Sequence, residues 1–449
     1  MELLVQTPPP AETPASPVGP RVQCATSFNF ANCLVEQVYD RSNRRSELEV
    51  MHSNGTTVRV PVFPVPNLHL EIRPVENDLV HRGRVILPEK REPYGSTGAL
   101  VEAIRQHVER YVVLPEEMRD VAVHYVLLTW VYDRFETVPY LRFIGDLGVG
   151  KSRALRVIGQ LCYHPFMAAG SASMSAIFRS LDMLGRATLV MDEVDFFLRS
   201  DTHQEMMTML RQGFQKGCGV LRAEAARDTF EPRDYEVFGP KALAGRKSFP
   251  DPALESRCLR VYMQAGVPLG NIPSELPASY IEEVLLLQNQ LLQWRFDHNF
   301  AALQTPEPLD VEPRLLQLFN PLASVVSDTE ALGRLRRAML ELQEDMTEMR
   351  STSLEGRILA ALLAAYDTDG RRPGALRVQL KPLAGSLGDE WHKGPTPKTV
   401  AGICRGFGMA MGKNKHGAYV EFDPTNHSAI LARYGLAEAA EPETLEPAA

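Results

Sequence analysis

The stretch GDLGVGKS at residues 145–152 fits the pattern G-x-x-x-x-G-K-[ST], whose residue types suit the binding of phosphate groups. Glycines let backbone N–H groups turn inward around phosphate oxygens, and the helix that follows points its positive end at them. The Lys151 ammonium can reach the β- and γ-phosphates, and the Ser152 hydroxyl can coordinate Mg²⁺. The residues predicted to bind ATP are Gly145, Gly148, Val149, Gly150, Lys151, Ser152 and Arg153.

An acidic pair, Asp192 and Glu193, ends the apolar run ATLVM, which is typical of a buried strand. The chain between Lys151 and Asp192 is long enough for a helix, a strand and a helix, so the acids can follow a neighbouring strand. An acid at the carboxyl end of such a strand lies beside the phosphate loop. Asp192 is predicted to hold magnesium through water, and Glu193 to polarise the attacking water as general base. Asp195 is a weaker third acid, better suited to a cap or an outer position.

Each motif alone has a simpler explanation, because glycine-rich turns and an Asp-Glu pair after a strand are both common. The loop, however, lies between a predicted strand, YLRFI, and a predicted helix, SRALRVIGQL, which is the context that a phosphate loop requires. Together with the acid pair, this context favours a nucleotide site.

The elements that must position these residues alternate between strands and helices over residues 138–265, as in a parallel α/β core. Two further core strands are predicted at KALAG and RCLRVYM. Before this core, two helices lead into the loop; the first has Leu100, Ile104, Val108 and Val112 on one face.

Arg257 lies between the last two predicted strands, in ALESRCL. A turn at this place often faces a neighbouring subunit, where a guanidinium can complete the γ-phosphate site of that neighbour. The alternative is a solvated arginine in a loop.

The bulk composition limits the class of protein. With 449 residues the chain is long enough for two to four domains, and 44% hydrophobic and 23% charged residues are normal for a globular protein. A net charge of −8 excludes a surface coated in basic charge, but not a local basic groove. The six cysteines show no C-x-x-C spacing, so we expect reduced thiols and no zinc. The longest apolar run, at 121–132, is too short for a membrane span, and no signal peptide is recognisable; we expect a cytoplasmic protein.

The expected organisation has seven parts. An Asn54-Gly55 turn signal favours a hairpin in a β-rich N-terminal domain, and residues 278–352 have a helical pattern. The expected boundaries are a disordered leader (1–22), a β-rich domain (23–92), a helical linker (93–137), a P-loop ATPase core (138–270), a helical lid (271–352), a winged-helix-like domain (353–435) and a disordered acidic tail (436–449).

The C-terminal domain is predicted to contain helices followed by a β-wing, the order of a winged helix. One helix is capped by Thr396 with Pro397 at its first position, and the wing turns around Asn414–Gly417. Basic residues on that helix and wing suit contacts to DNA phosphates, although a winged helix can also bind protein. These residues are Lys398, Arg405, Lys413, Lys415 and His416.

A second basic set lies in the core, at Lys216, Arg222, Arg227 and Arg233. These residues can line a pore that grips a single strand, or they can be ordinary surface charge.

With SMSAIFRSLD and FGPKALAG added to the loop and the acid pair, residues 95–435 resemble helicase-like AAA+ ATPases of phages, plasmids and integrative elements. In addition, the SRC triplet resembles the arginine-finger box of clamp-loader AAA+ ATPases. The resemblance implies an α/β P-loop NTPase core with a helical lid, a hexameric ring and Arg257 acting on the neighbouring subunit. It also implies a hairpin at Gly217–Arg222 near the channel. AAA+ sensors are usually Asn or Thr after the KALAG strand; here Arg246 stands near that place, and Arg314 is a second sensor candidate.

The sequence thus predicts an ATP-hydrolysing motor that acts on DNA during replication of a mobile element or a phage-like genome. An AAA+ remodeller or loader of proteins is one alternative. A nucleotide-gated DNA-binding regulator with little turnover is another, which the intact Glu193 disfavours.

Overall fold

The computed structural model describes residues 20–30, 33–65, 68–168, 172–194, 201–226, 229–264, 271–369, 374–387 and 394–436. The chain forms two compact units, Met1–Ala338 and Met339–Ala449. The first strand begins at Arg21, inside the segment expected to be a disordered leader. The acidic tail from residue 437, Asp195 and Arg227 lie outside the described residues.

The N-terminal part of the first unit is built from two small sheets. One is an antiparallel meander in the order β2-β3-β4-β5, and the other has the order β1-β7-β6 with β1 parallel to β7. The predicted turn at Gly55 (φ 85°) connects β4 to β5. The elements are β1 (Arg21–Cys24), β2 (Ser27–Phe30), β3 (Cys33–Asp40), β4 (Arg45–His52), β5 (Thr57–Val60), β6 (Phe63–Val65), β7 (Leu70–Arg73) and the short helix α1 (Asp78–His81).

Two helices connect these sheets to the core, as predicted. Helix α2 (Thr97–Tyr111) begins at Ser96, whose side chain accepts a hydrogen bond from the Ala99 N–H. Its buried face includes Leu100, Ile104 and Val108. Helix α3 (Glu116–Trp130) is buried along almost its whole length after Asp120, which explains its apolar sequence.

The core is a five-stranded parallel sheet in the order β14-β8-β13-β10-β9. Its strands are mostly apolar because helices cover both sides of such a sheet. The predicted strands KALAG and RCLRVYM are β13 and β14. The elements are β8 (Tyr140–Ile144), α4 (Lys151–Gly159), β9 (Pro165–Ala168), α5 (Met174–Leu184), β10 (Thr188–Met191), α6 (Asp201–Gln212), β13 (Lys241–Gly245), α7 (Pro252–Glu255) and β14 (Cys258–Tyr262).

Between α6 and β13 the chain forms an antiparallel hairpin of β11 (Val220–Ala226) and β12 (Thr229–Tyr235). The hairpin expected at Gly217–Arg222 is therefore longer and centred further along the chain, because the alternating pattern continues to Tyr235. Its inner face packs on α5, where the ring centroids of Phe178 and Tyr235 lie 6.4 Å apart.

Helices α8 (Tyr280–Asn299), α9 (Pro313–Ala323) and α10 (Thr329–Ser351) occupy the region predicted to be a helical lid. Helix α8 packs on α2 and on the N-terminal sheets: Trp294 donates to the Thr97 hydroxyl, and Asn289 accepts from the Glu89 N–H. Helix α8 thus stabilises the N-terminal part of the unit, and its first residues, Tyr280 and Ile281, line a further cavity together with Ser152 and Arg153.

A buried polar network joins the N-terminal sheets, the core and α8. The fully buried Glu36 carboxylate accepts hydrogen bonds from Ser27 Oγ (2.9 Å), Tyr163 Oη (2.7 Å) and Arg295 Nε (2.6 Å). Arg295 also pairs with Asp133 at 3.0 Å. Because removal of one partner leaves the other charge buried and unpaired, this network holds the three parts in one arrangement.

His164 lies beside this network and gives the unit a predicted dependence on pH. Burial, with the nearby Arg295 charge, lowers the pKa of His164 to about 3. The unfolded chain titrates near the ordinary value, so protonation favours unfolding as the pH falls below about 6.5. When the pH falls from 7 to 5, protonation of this histidine in the unfolded chain is expected to lower the free energy of unfolding by about 2 kcal/mol.

The test compares urea unfolding of the wild type and His164→Asn at both pH values, followed by tryptophan fluorescence. Asparagine tolerates the left-handed backbone at this residue (φ 40°) and does not titrate. The variant should lose about 2 kcal/mol less than the wild type on acidification. Equal losses would show that His164 does not set the pH dependence.

The second unit contains a three-stranded antiparallel sheet in the order β15-β17-β16 with helices around it. Thr396 caps α13 and Pro397 opens it, and β16 and β17 form the predicted hairpin. Strand β15, which pairs with β17, was missed because its four residues give too short a pattern. The elements are α11 (Leu354–Thr368), β15 (Leu376–Gln379), α12 (Leu380–Ser386), α13 (Pro397–Gly406), β16 (Met411–Asn414), β17 (Gly417–Phe422) and α14 (Ser428–Arg433).

In the part of the chain that the structure describes, no helix is both long and apolar enough to cross a membrane.

Candidate functional site

The predicted phosphate loop leaves β8 at Gly145 and enters α4 at Lys151, at the carboxyl edge of the parallel sheet. At Gly145 a Cβ atom would lie 2.6 Å from the Met263 carbonyl oxygen, so any side chain would displace the neighbouring strand end. Gly150 has a φ of 90° and is the N-cap of α4. These two positions need glycine for physical reasons, and the loop connects a strand to a helix at the edge of a parallel α/β sheet.

The start of α4 presents free backbone donors. No side chain accepts a hydrogen bond at its N-cap, so the first-turn N–H groups lack the capping partner that most helices acquire. Together with the helix dipole, such donors attract anions. The Lys151 ammonium folds back over the loop and donates to the Asp146 carbonyl, which places a cation beside these donors.

Asp192 and Glu193 follow β10, and the chain turns sharply between them. Glu193 has a φ of 57°, which is uncommon outside glycine, and its N–H donates to Asp192 Oδ1 at 2.8 Å. The Val194 N–H then donates a hydrogen bond to the Ala244 carbonyl on β13 (3.1 Å). A left-handed backbone costs about 1–3 kcal/mol at such a residue, and such conformations concentrate at functional sites.

One cavity of about 660 Å³ brings the loop and the acids together. It lies at the carboxyl edge of β8, β10 and β13, with β13 between the other two strands. Its wall therefore combines backbone amides, an ammonium, a hydroxyl and two carboxylates. The site residues that line it are Gly148, Gly150, Lys151, Ser152, Arg153, Asp192, Glu193 and Arg246.

A second cavity, of about 770 Å³, lies on the other side of the loop and shares Gly148 and Gly150 with the first. Its lining is mostly apolar and comes from the α2–α3 connection at 111–115, from the end of β14 and from residues 272–274; Val149 belongs to it. The Arg153 side chain donates to the carbonyls of Pro273 and Ser274, which fixes that last wall. The Arg153 side chain thus holds the part of the cavity wall that residues 272–274 form.

Two charged residues that the sequence did not identify hold the far wall of the first cavity. The buried Arg142 on β8 pairs with Glu255 and lies over the Phe249 ring, with the guanidinium carbon 3.4 Å from the ring centroid. Arg142 also donates to the Lys247 carbonyl, and Glu255 accepts from the Phe249 N–H at 2.7 Å. An arginine inside the apolar run YLRFI is the one signal that pointed to this pair.

The predicted residue Arg257 does not lie in either cavity of its own subunit. It precedes β14, and its carbonyl accepts from the Tyr140 N–H at the amino end of β8 (3.0 Å). Arg314, the other sensor candidate, also lies away from both cavities, in the first turn of α9. Of the two sensor candidates, Arg246 alone lines the cavity that holds Lys151.

The hairpin arginines face α5 and α6 and are paired with acids. Arg222 forms an ion pair with Glu205 (2.8 Å), and Arg233 forms one with Asp182 (2.7 Å). On the other face of the hairpin, the large apolar side chains of Leu221 and Phe230 are exposed. The sequence left two roles open for these arginines, a pore lining that grips a single strand or ordinary surface charge. Their ion pairs with acids favour ordinary surface charge. Lys216 donates to the Asp133 carbonyl (2.9 Å).

In the second unit the predicted basic residues are exposed on α13, on the hairpin and in its turn. Among the described residues, no carboxylate forms an ion pair with any of them. This basic face is defined by Lys398, Arg405, Lys413, Lys415 and His416.

Comparisons with known proteins give distant likenesses. No protein-family model matches the chain, and a search of curated proteins found no match. Among solved structures, the chain is similar to the active helicase Cch of SCCmec type IV: the identity is 11%, the TM-score is 0.43, and 91% of this chain and 97% of that chain are covered.

Two further likenesses are weaker. The C-terminal region of NrS-1 is 8% identical with a TM-score of 0.36, over 86% of this chain and 96% of that chain. The ORC1 protein of Aeropyrum pernix, solved in complex with DNA, is 12% identical with a TM-score of 0.23. The match covers 72% of this chain and 94% of that chain. With TM-scores below 0.5, these likenesses carry no residue role or function over to this chain.

Proposed function

We propose that this chain is an ATP-hydrolysing motor that assembles as a ring and acts on DNA. The observation that carries the proposal is the cavity in which the phosphate loop and the acid pair meet. Backbone amides and Lys151 supply positive charge for a triphosphate, and Glu193 supplies a base in the same cavity.

The two cavities on either side of the loop fit the two ends of a nucleotide. The charged cavity fits the phosphates. The apolar cavity, with walls at 111–115 and 272–274, fits a base and its sugar. Because Arg153 holds residues 273 and 274, the base pocket depends on the same helix that binds the phosphates.

Ser152 and Asp192 fit a magnesium ion, because both line the charged cavity and offer the oxygen ligands that this ion prefers. The ion would neutralise charge on the phosphates during transfer. The part of this chain in the reaction is to hold the triphosphate against α4 and to place Glu193 where it can accept a proton from water.

The position of Arg257 supports shared sites between subunits. Its backbone lies at the amino edge of the sheet, whereas its own loop lies at the carboxyl edge, so it cannot complete the site of its own subunit. A neighbour in a ring can bring its triphosphate to this arginine. A hexamer is the assembly that we propose.

DNA is the proposed partner because the second unit carries the exposed basic face on a helix–strand–helix–helix–strand–strand framework. This order fits a winged helix, in which one helix and a β-wing contact the duplex. Uncompensated cations on such elements suit phosphate contacts.

The experiment that tests the motor measures phosphate release with no DNA, with single-stranded DNA and with forked DNA, together with the mass of the particle in ATP. Stimulation by DNA and a hexameric mass support the proposal. Turnover without DNA stimulation favours a remodeller of proteins, and no turnover with DNA present favours a nucleotide-gated regulator.

The double variant Lys413→Gln/Lys415→Gln is expected to bind DNA more weakly than the wild type. Loss of two phosphate contacts should make the slope of log affinity against log salt shallower by about 2. Fluorescence anisotropy of labelled duplex and forked DNA at several salt concentrations measures both effects.

The matched control is Arg377→Gln, which removes a cation of the same unit that is already paired with Glu421 (3.0 Å). It should change neither affinity nor slope appreciably. If the double variant behaves like this control, the basic face of the second unit serves a contact other than DNA.

A further inference from the structure

The basic face of the second unit lies on a stretch of chain without acids. Residues 394–420, which include α13, β16 and the start of β17, contain four lysines and arginines and no aspartate or glutamate. Within the described residues, no carboxylate from elsewhere in the unit forms an ion pair with the basic face. Clustered positive charges without counter-charges repel one another, and an anionic partner removes that repulsion.

Residues 437–449, which we call the acidic tail, have the opposite composition. They contain four glutamates and no lysine, arginine or histidine. Their four negative charges equal in number the four lysines and arginines of residues 394–420. The glutamates are Glu438, Glu441, Glu443 and Glu446.

The acidic tail is attached beside the basic face. Leu436, the residue before the tail, packs on the core of the second unit, and its N–H donates to the Leu431 carbonyl (2.9 Å). The ring centroid of Tyr434 lies 5.7 Å from that of Phe407, the C-cap residue of α13. The tail therefore starts near the end of α13 that carries Arg405.

The acidic tail is also long enough to reach every cation of the basic face. Its thirteen residues span up to about 43 Å when extended. Lys398 and Arg405 are separated by about 10 Å along α13, and the strand β16 is about 13 Å long. Both elements belong to one packed unit, since Cys404 of α13 and Val420 of β17 share one buried core.

We propose that the acidic tail binds the basic face of its own chain and competes there with DNA. The inference rests on the proposed function for the identity of the competitor, whereas the contact within the chain does not require DNA. Exposed ion pairs are individually weak and are screened by salt. Tethering, however, holds the tail near the face at an effective concentration in the millimolar range. DNA can displace such a contact, but its affinity is reduced by the competition.

The first measurement detects the contact without DNA, by limited acetylation of lysines with an N-hydroxysuccinimide ester and mass spectrometry. A carboxylate beside a lysine raises its pKa and leaves less of the reactive neutral amine. Neutralising the tail should therefore speed the labelling of Lys413 and Lys415 about two- to threefold. Lys90, which pairs with Glu92 in the first unit (2.7 Å), should be labelled at an unchanged rate. The tail variant used here is Glu438→Gln/Glu441→Gln/Glu443→Gln/Glu446→Gln.

The second measurement compares the DNA affinity of the tail variant with that of the wild type. At about 50 mM salt the variant should bind duplex DNA about three- to tenfold more tightly, because the face has lost its tethered competitor. The difference should largely disappear at about 300 mM salt, since screening weakens the tail contact. On the Lys413→Gln/Lys415→Gln background the gain should be smaller, because the tail and DNA share these two lysines.

The matched control changes the net charge by the same amount but leaves the tail intact. It should keep the wild-type labelling of Lys413 and Lys415 and the wild-type DNA affinity. Circular dichroism and the Tm of both variants check that the fold is kept. The control replaces four exposed carboxylates on three helices: Glu116→Gln/Glu282→Gln/Glu341→Gln/Glu344→Gln.

The labelling outcomes decide the contact. Unchanged labelling of Lys413 and Lys415 in the tail variant overturns the inference, whatever its DNA affinity. A labelling difference that disappears on dilution identifies the tail of a second copy as the occupant, which overturns the contact within one chain.

The affinity outcomes separate this inference from the proposed function. No gain in affinity at low salt, with a wild type that binds DNA, overturns the competition but not the motor. Equal gains in the tail variant and the control identify a general charge effect, which also overturns the inference. If neither the wild type nor the tail variant binds DNA, the proposed partner is contradicted, and the labelling still decides whether the tail contacts the face.

Discussion

Glu193→Gln is expected to lower ATP hydrolysis by about 10²–10⁴-fold while leaving ATP binding close to that of the wild type. The substitution keeps the size and shape of the side chain but removes the carboxylate that accepts a proton from the attacking water. Because Glu193 follows β10 and does not belong to the phosphate loop after β8, it contributes little to holding the triphosphate before reaction. Phosphate release and binding of a fluorescent ATP analogue measure the two effects separately.

A matched control for Glu193→Gln is Glu341→Gln, which removes an exposed carboxylate on α10 that lines neither cavity. It should hydrolyse ATP at the rate of the wild type. Hydrolysis at the wild-type rate in Glu193→Gln itself would exclude this residue as the base and would leave the motor without a proton acceptor.

The second large effect is expected for Lys151→Ala, which should reduce both nucleotide affinity and hydrolysis, each by about tenfold or more. The ammonium lies beside the uncapped amides of α4 and adds a full positive charge to the phosphate end of the cavity. Unlike Glu193→Gln, this variant loses binding as well as turnover. Titration with the fluorescent analogue, alongside phosphate release, separates the two patterns.

Lys90→Ala provides the control, since Lys90 is exposed and pairs with Glu92 (2.7 Å) in the N-terminal part of the chain. Circular dichroism of both variants checks that the fold is kept. Full ATPase activity in Lys151→Ala would contradict the assignment of residues 145–152 as the phosphate site.

Local sequence patterns predicted the elements near the loop well, because each is encoded within a few residues. The run YLRFI, the glycines and the start of α4 are contiguous, so propensity and backbone sterics determine them together. The same holds for Thr396 and Pro397 at the start of α13. Strand β15 escaped prediction because a four-residue strand has almost no periodicity of its own.

Charged residues were harder to interpret, because their partners lie far away along the chain. Arg222 and Arg233 looked like free cations, but their acids belong to α6 and α5. Arg142 lies within the predicted strand YLRFI, and its partner Glu255 lies on α7. Whether a charge is paired depends on contacts that no local pattern encodes.

The sequence by itself determined the phosphate loop, the acid pair and the alternation of strands and helices, since these follow from glycine conformations, hydrophobic periodicity and helix capping over short stretches. Only the tertiary structure decided that Asp192 and Lys151 line one cavity, that the hairpin arginines are paired, and that the guanidinium groups of Arg257 and Arg314 both lie over the ring of Phe214. The physical reason is that strand order and packing bring together residues tens to hundreds of positions apart, and burial and charge then act on neighbours in space.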